Sequence, residues 1–147
     1  MTMLDLQIAK RLKEVGASLV ELQTISGANG ALSVAEIGKQ MPFEVRRYFL
    51  VYDVPPGETR GRHAHRAQHQ YLTCVRGSCL VMVENGRTQA EVRLDSPRLA
   101  LSVPPMLWSV QSEYSADAVL LVLSSDVYDE LDYIRDYAEF LSLTGAK

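Results

Sequence analysis

Cysteine, histidine and tryptophan are scarce in this 147-residue sequence, at two, three and one residues respectively. Cys74 and Cys79 flank Arg76-Gly77-Ser78 in an expected strand–turn–strand, where isolated thiols read as buried small hydrophobes rather than a disulfide or a ligand pair. No apolar run approaches the roughly 18 residues of a membrane span, and the N-terminal MTMLDLQIAKRLKEV lacks the apolar centre of a signal peptide. The expected compartment is therefore the cytoplasm, with no membrane partner. Basic charge is not in excess: the net charge of −3 provides no field for nucleic acid, which is excluded as a partner. Internal repeats and low-complexity linkers are also missing.

What the sequence does contain is an ordinary globular balance, 47% apolar and 22% charged residues. A chain of this length fits one domain that buries about two thirds of its unfolded surface. Residues 1–17 read as an N-terminal extension and 18–147 as a single domain. In the extension, Leu4, Ile8, Leu12 and Val15 follow helical spacing, consistent with a short amphipathic helix or a poorly packed leader. Alternating runs at Ser18–Ile25 and Ala31–Ile37 surround a turn cluster at Ser26–Gly30, and Phe43–Val54 is a β-rich run closed by Pro55-Pro56-Gly57. Further strands are expected at Gln70–Arg76, Cys79–Val83, Glu91–Leu94, Leu99–Val103 and Ala118–Leu123, with Asn85-Gly86 as a hairpin turn tolerant of positive φ. Closely spaced short strands predict an all-β sandwich or barrel. Beyond Ser125, apolar residues Val127, Leu131, Ile134, Ala138 and Leu141 predict a C-terminal helix over about 125–143, capped by Ser125 or Asp126.

All three histidines, His63, His65 and His69, fall in GETRGRHAHRAQHQYLTCVRG, from Gly57 to Gly77. On an extended backbone His63 and His65 point to one side, which makes them half of a metal site or an acid/base pair. His69 has the opposite parity to Gln70 and points away from that residue's face.

The spacing Gly57, His63-x-His65, Gln70, Gly77 resembles the first signature of the cupin superfamily, whose fold is a jelly-roll double-stranded β-helix. Metal-binding cupins usually place Glu where this chain has Gln70, and complete the site with a second-signature histidine where this chain has Ser109. Neither replacement is a strong anionic or imidazole donor. No metal and no cofactor are therefore expected. Two metal-free imidazoles suit proton abstraction beside a carbonyl; the bland alternative is a remnant in a non-catalytic cupin.

A narrower resemblance runs from about Leu19 to Phe140. It rests on Pro42-Phe43 leading into Arg46-Arg47, on Arg60-Gly61-Arg62-His63-Ala64-His65, on Cys74-Val75-Arg76-Gly77-Ser78, on Pro105-Met106-Leu107-Trp108, and on the tail Tyr128–Tyr137. In these stretches the chain resembles the dTDP-4-keto-6-deoxyglucose 3,4-ketoisomerases, the WxcM-like sugar isomerases. Two departures stand out: Ser109 replaces a histidine common after the tryptophan, and Leu50 and Val51 replace aromatic residues.

The resemblance implies an isomerase that moves a ketone from C4 to C3 of a dTDP-linked 6-deoxyhexose through an enediol, in deoxysugar biosynthesis. It implies His63 and His65 as catalysts, with His65 favoured as the C3 base and His63 as its partner. Arg60, Gln70 or Tyr52 would hold the enediolate oxygen, and Arg47, Arg62, Arg76 and Arg93 are candidates for the diphosphate. Trp108 would stack on sugar or base, against a core-packing alternative. It further implies a homodimer in which an N-terminal strand crosses to the partner. A second reading is a 3,5-epimerase-like cupin, which needs a carboxylate partner for its histidine; the chain has no Asp or Glu between His63 and Glu84. A third is a non-catalytic sugar-binding domain.

Overall fold

The computed structural model describes residues 2–145. Helix α1, Met3–Val15, begins at a capping box in which Thr2 and Asp5 satisfy each other's backbone N–H groups, and ends at Gly16 in the left-handed region (φ 115°). Of its apolar stripe, Leu12 and Val15 are buried and Leu4 is exposed. Next come β1 (Ser18–Glu21), β2 (Gln23–Gly27), β3 (Gly30–Val34), β4 (Arg47–Tyr52), β5 (Arg60–His65) and β6 (Gln70–Arg76). The chain continues with β7 (Cys79–Glu84), β8 (Gln89–Leu94), β9 (Leu99–Val103), β10 (Trp108–Ser112) and β11 (Val119–Ser124). A 3₁₀ turn (Glu130–Asp132), β12 (Tyr133–Ile134) and helix α2 (Tyr137–Leu143) follow.

Two five-stranded sheets face each other, ordered β1-β9-β6-β11-β4 and β12-β5-β10-β7-β8, which is the jelly-roll arrangement expected of a cupin. Alternation builds the core. Leu72, Cys74, Leu120 and Val122 point inward from the first sheet, and Cys79, Val81, Val83, Val92 and Leu94 answer from the second. Helix α1 closes one end by setting Leu12 and Val15 into this cluster. The β7–β8 hairpin turns at Asn85-Gly86, where the Asn85 side chain accepts from the N–H groups of Arg87 and Thr88, both at 2.9 Å, and Gly86 takes φ 92°.

Three expectations need correction. The long strand from Phe43 begins only at Arg47, because Pro42 and the segment after it are irregular. Strand β10 was not anticipated: Trp-Ser-Val-Gln-Ser after two prolines carries a weak β signal, yet it sits centrally between β5 and β7. The largest difference is the tail. Instead of one helix over 125–143, it runs as a strap through the 3₁₀ turn and β12 before α2, whose N-cap is Asp136. The periodicity misled because the strap is organised by its backbone: Tyr133 and Ile134 pair with His65 and Ala64, Val127 and Leu131 face solvent, and Asp132 is buried.

Candidate active site

Strand β5 carries a bulge that builds the site. Ser109 on β10 pairs with His63 but the next residue, Val110, pairs with Gly61, leaving Arg62 as the extra residue. Gly61 and Arg62 accordingly take φ of 86° and 57°. Arg60 and His63 would lie on opposite faces of a regular strand; the inserted residue brings both to the same side, where they line one cavity, Arg60 at its exposed edge. Gly61 is required for this approach, since a Cβ there would stand 2.9 Å from the Ser109 carbonyl and 2.8 Å from Gln111 Oε1.

The cavity, about 230 Å³, has an apolar wall of Phe49, Val51, Leu72, Leu120 and Val122. Its polar side holds Arg60, His63, Gln70, Gln111, Tyr133 and Arg135. A larger groove of about 610 Å³ lies elsewhere, between the β2–β3 hairpin and the outer face of the first sheet. Among the described residues, Arg98 is the only charged one lining that groove, which has no histidine or carboxylate and is not the chemical centre.

His63 and His65 meet edge to face with ring centroids 4.9 Å apart, and Tyr133 lies against both, at 4.9 and 4.5 Å. Each imidazole is held in one tautomer. His63 Nδ1 donates to the Gly61 carbonyl at 3.0 Å, and His65 Nδ1 donates to Asp132 Oδ2 at 3.0 Å. Both Nε2 atoms thereby carry the lone pair. That of His65 is buried with no hydrogen-bond partner in the protein. Burial pushes the His63 pKa below the ordinary imidazole range, and it pushes His65 down to about 4, with the neighbouring His63 adding to the effect and Asp132 opposing it. Both rings are neutral at pH 7, the state a proton acceptor needs.

Asp132 is itself fixed: the N–H of Ala67 donates to Oδ1 at 2.7 Å and that of Gln68 to Oδ2 at 3.2 Å. Gln68 continues the network, accepting from Arg47 Nη2 and Ser124 Oγ, both at 2.9 Å. Arg135 caps the outer side, its guanidinium 4.3 Å from the Tyr133 ring centre and bonded to the Glu130 carboxylate at 3.0 and 3.1 Å. Glu130 also accepts from the Tyr128 hydroxyl.

Of the residues singled out in the sequence, the structure brings together His63, His65, Arg60 and Gln70, with Arg47 joined through Gln68. It does not bring the others to the cavity. Tyr52 is exposed on the outer face of β4. Arg62 is turned outward by the bulge and donates to Thr59 Oγ1. Arg76 and Arg93 sit at the surface beside Asp117 and Glu113. Trp108 is buried with Ala64, Ile134 and Phe140 in a separate cluster. His69 points away from Gln70's face, its Nε2 2.8 Å from Ser102 Oγ. Sequence reasoning missed Asp132, Tyr133, Arg135 and Gln111, although the tail signature contains the first three. The carboxylate partner of His65 comes from position 132, far beyond the stretch between His63 and Glu84. The lack of such a carboxylate therefore no longer separates an epimerase-like reading from the ketoisomerase one. Among the described residues, no three His, Cys, Asp or Glu side chains are grouped to hold a metal.

Residues 15–145 match the family described as FdtA: WxcM-like, C-terminal. The chain belongs to this family. A curated relative, the TDP-4-oxo-6-deoxy-alpha-D-glucose-3,4-oxoisomerase of Aneurinibacillus thermoaerophilus, is 39% identical over 122 residues, 83% of this chain and 88% of the relative. Among solved structures, a 3,4-ketoisomerase from Helicobacter canadensis is 34% identical with a TM-score of 0.86, covering 89% of this chain and 98% of its own. A variant of the 3,4-ketoisomerase QdtA from Thermoanaerobacterium thermosaccharolyticum, solved in complex with TDP-4-keto-6-deoxyglucose, is 30% identical with a TM-score of 0.84 over 87% of this chain and 93% of its own. Family membership, rather than any one side chain, decides between the two proton-transfer readings.

Proposed function

We propose that this protein is a sugar-nucleotide 3,4-ketoisomerase that converts a TDP-linked 4-keto-6-deoxyhexose to its 3-keto isomer by proton transfer, without a metal or cofactor, in the cytoplasm. The observation that carries the reading is the imidazole pair with both Nε2 lone pairs free, beside a cavity of polar and apolar halves. His63 lines that cavity whereas His65 stands behind it against Asp132. This supports an assignment opposite to the one favoured from the sequence. His63 Nε2 takes the C3 proton, the C–H electron pair becomes the C3=C4 bond, and O4 gains a proton. His65, with Asp132 holding its Nδ1 proton, carries the O3 proton to O4; C3=O then forms as the His63 imidazolium, after exchange with solvent, gives a proton to C4 and returns to its neutral state. Of the four arginines considered for the diphosphate from the sequence, Arg47 alone stays beside the site, and Arg60 and Arg135, which line the cavity, join it as candidates.

The test is to incubate the protein with TDP-4-keto-6-deoxyglucose in deuterated water, with a chelator present, and follow it by NMR. Ketone migration with deuterium at C4 is expected. Exchange at C5 with inversion would instead make the chain an epimerase, and no exchange would make it a binding domain. Activity lost to the chelator and restored by zinc or iron would refute the metal-free mechanism.

A homodimer belongs to the same proposal. The outer face of β4 leaves Tyr48, Leu50 and Tyr52 exposed, and Val75 extends this apolar surface across the sheet. The β2–β3 hairpin pairs with no other strand of the described residues, leaving its edges open to a second copy's N-terminal segment. Light scattering at micromolar concentration should give twice the chain mass, falling to the single-chain mass for Leu50→Asp; a monomeric wild type would overturn the proposal.

A further inference from the structure

We propose that Gln70 is a catalytic residue whose side-chain N–H holds O4 of the substrate as negative charge builds there; this rests on the ketoisomerase reading above. Gln70 opens β6, lies on the inward face, and is 8% exposed. Its Nε2 is buried without a hydrogen-bond partner, although its side chain lines the cavity beside His63. An unpaired buried amide N–H destabilises a folded protein, and its retention in a cavity points to a ligand acceptor.

The other polar donors around the cavity differ from it in each case. Gln111 gives its Nε2 to Ser109 Oγ at 3.2 Å. Arg135 gives Nε and Nη2 to Glu130. Arg60 is exposed at the cavity edge. Tyr133 is only partly buried and lays its ring against both imidazoles. Among the described residues that line the cavity, Gln70 holds the buried N–H donor without a partner. A neutral amide also fits the chemistry better than a second cation at this depth. When His63 accepts the C3 proton it becomes an imidazolium in a buried setting where burial and Arg135 already oppose its charge. An amide stabilises the oxyanion without adding to that opposition.

The step balances within the substrate. Removal of H3 leaves its electron pair in the new C3=C4 bond, the C4=O π pair moves onto O4, and Gln70 N–H meets the charge until a proton arrives. Contact with O4, rather than O3, places Gln70 in the first half-reaction.

Gln70→Leu and Gln70→Glu test the assignment. Both should lose about 100-fold in kcat, the typical cost of one oxyanion donor, with KM within threefold. Deuterium exchange at C3 of recovered substrate should fall together with ketone migration. Gln70→Leu should melt at or above the wild-type temperature, since the unpaired amide is gone. Turnover within threefold of wild type in either variant overturns the proposal while leaving the ketoisomerase reading intact. So does C3 exchange that persists while migration falls, because it moves the donor to O3. A wild-type protein that shows no migration sinks the underlying reading whatever the variants do.

Discussion

His63→Asn is expected to bind the nucleotide sugar with nearly unchanged KM but to lose ketone migration by about 1,000-fold or more, and deuterium exchange at C3 with it. A positioned general base contributes on the order of 10² to 10⁴ in rate. The substituted carboxamide has no basic nitrogen to offer C3, while the surrounding cavity wall is untouched. His65→Asn should also stop migration, yet C3 exchange should survive at a measurable fraction of the wild-type rate. In the proposed mechanism its imidazole serves the oxygens rather than the carbon. The opposite outcome, with exchange lost in His65→Asn and retained in His63→Asn, would reverse the two roles and restore the order favoured from the sequence.

Asp132→Asn should cost on the order of 1,000-fold in kcat with the fold intact, a loss of the kind seen when a carboxylate that sets a histidine tautomer is replaced by its amide. The reason lies in the hydrogen bonds. Ala67 N–H donates to Oδ1 at 2.7 Å and Gln68 N–H to Oδ2 at the longer 3.2 Å, so in the variant the amide oxygen keeps the shorter bond, the longer one is given up, and the NH₂ group replaces Oδ2. Oδ2 is the atom that receives the His65 Nδ1 proton. An NH₂ there donates to Nδ1 instead, forcing the imidazole proton to Nε2 and removing the lone pair that the relay uses. Nitrogen-15 NMR should show His65 changing from the Nδ1–H to the Nε2–H tautomer, a shift that a merely structural role would not produce. The pH dependence gives a second readout. Asp132 raises the His65 pKa against burial, so without it the value should fall further below about 4, and residual activity should show no new acid limb between about pH 5 and 7. A normal tautomer with wild-type kcat would remove Asp132 from the mechanism.

Much of the fold was legible because its signals are local. The turn-bounded strands β7 and β8, the apolar run of β11, the Asn85-Gly86 turn and the helical spacing of α1 are each specified within a few residues. The imidazole pair was legible for the same reason, since parity alone sends His63 and His65 to one side. What escaped depends on distant partners. Arg60 shares the cavity with His63 only because of a bulge, which a period-two reading cannot express. Strand β10 exists because β5 and β7 flank it, not because Trp-Ser-Val-Gln-Ser demands extension. In the tail, helical spacing of Val127, Leu131 and Ile134 competed with backbone pairing to β5 and lost; the signal that favoured the strap was an acid, Asp132, in a position that structure buries.

The strap also sets a time at which the protein becomes an enzyme. Asp132 is translated 67 residues after His65, an interval of several seconds at about 5–20 residues per second. Every strand of both sheets except β12 precedes it in the chain. Until the strap pairs with β5, His65 has no Nδ1 partner and neither ring is covered by Tyr133. A nascent or unzipped chain can therefore be folded and catalytically silent, and turnover reports the docking of one short, late segment more directly than it reports formation of the barrel.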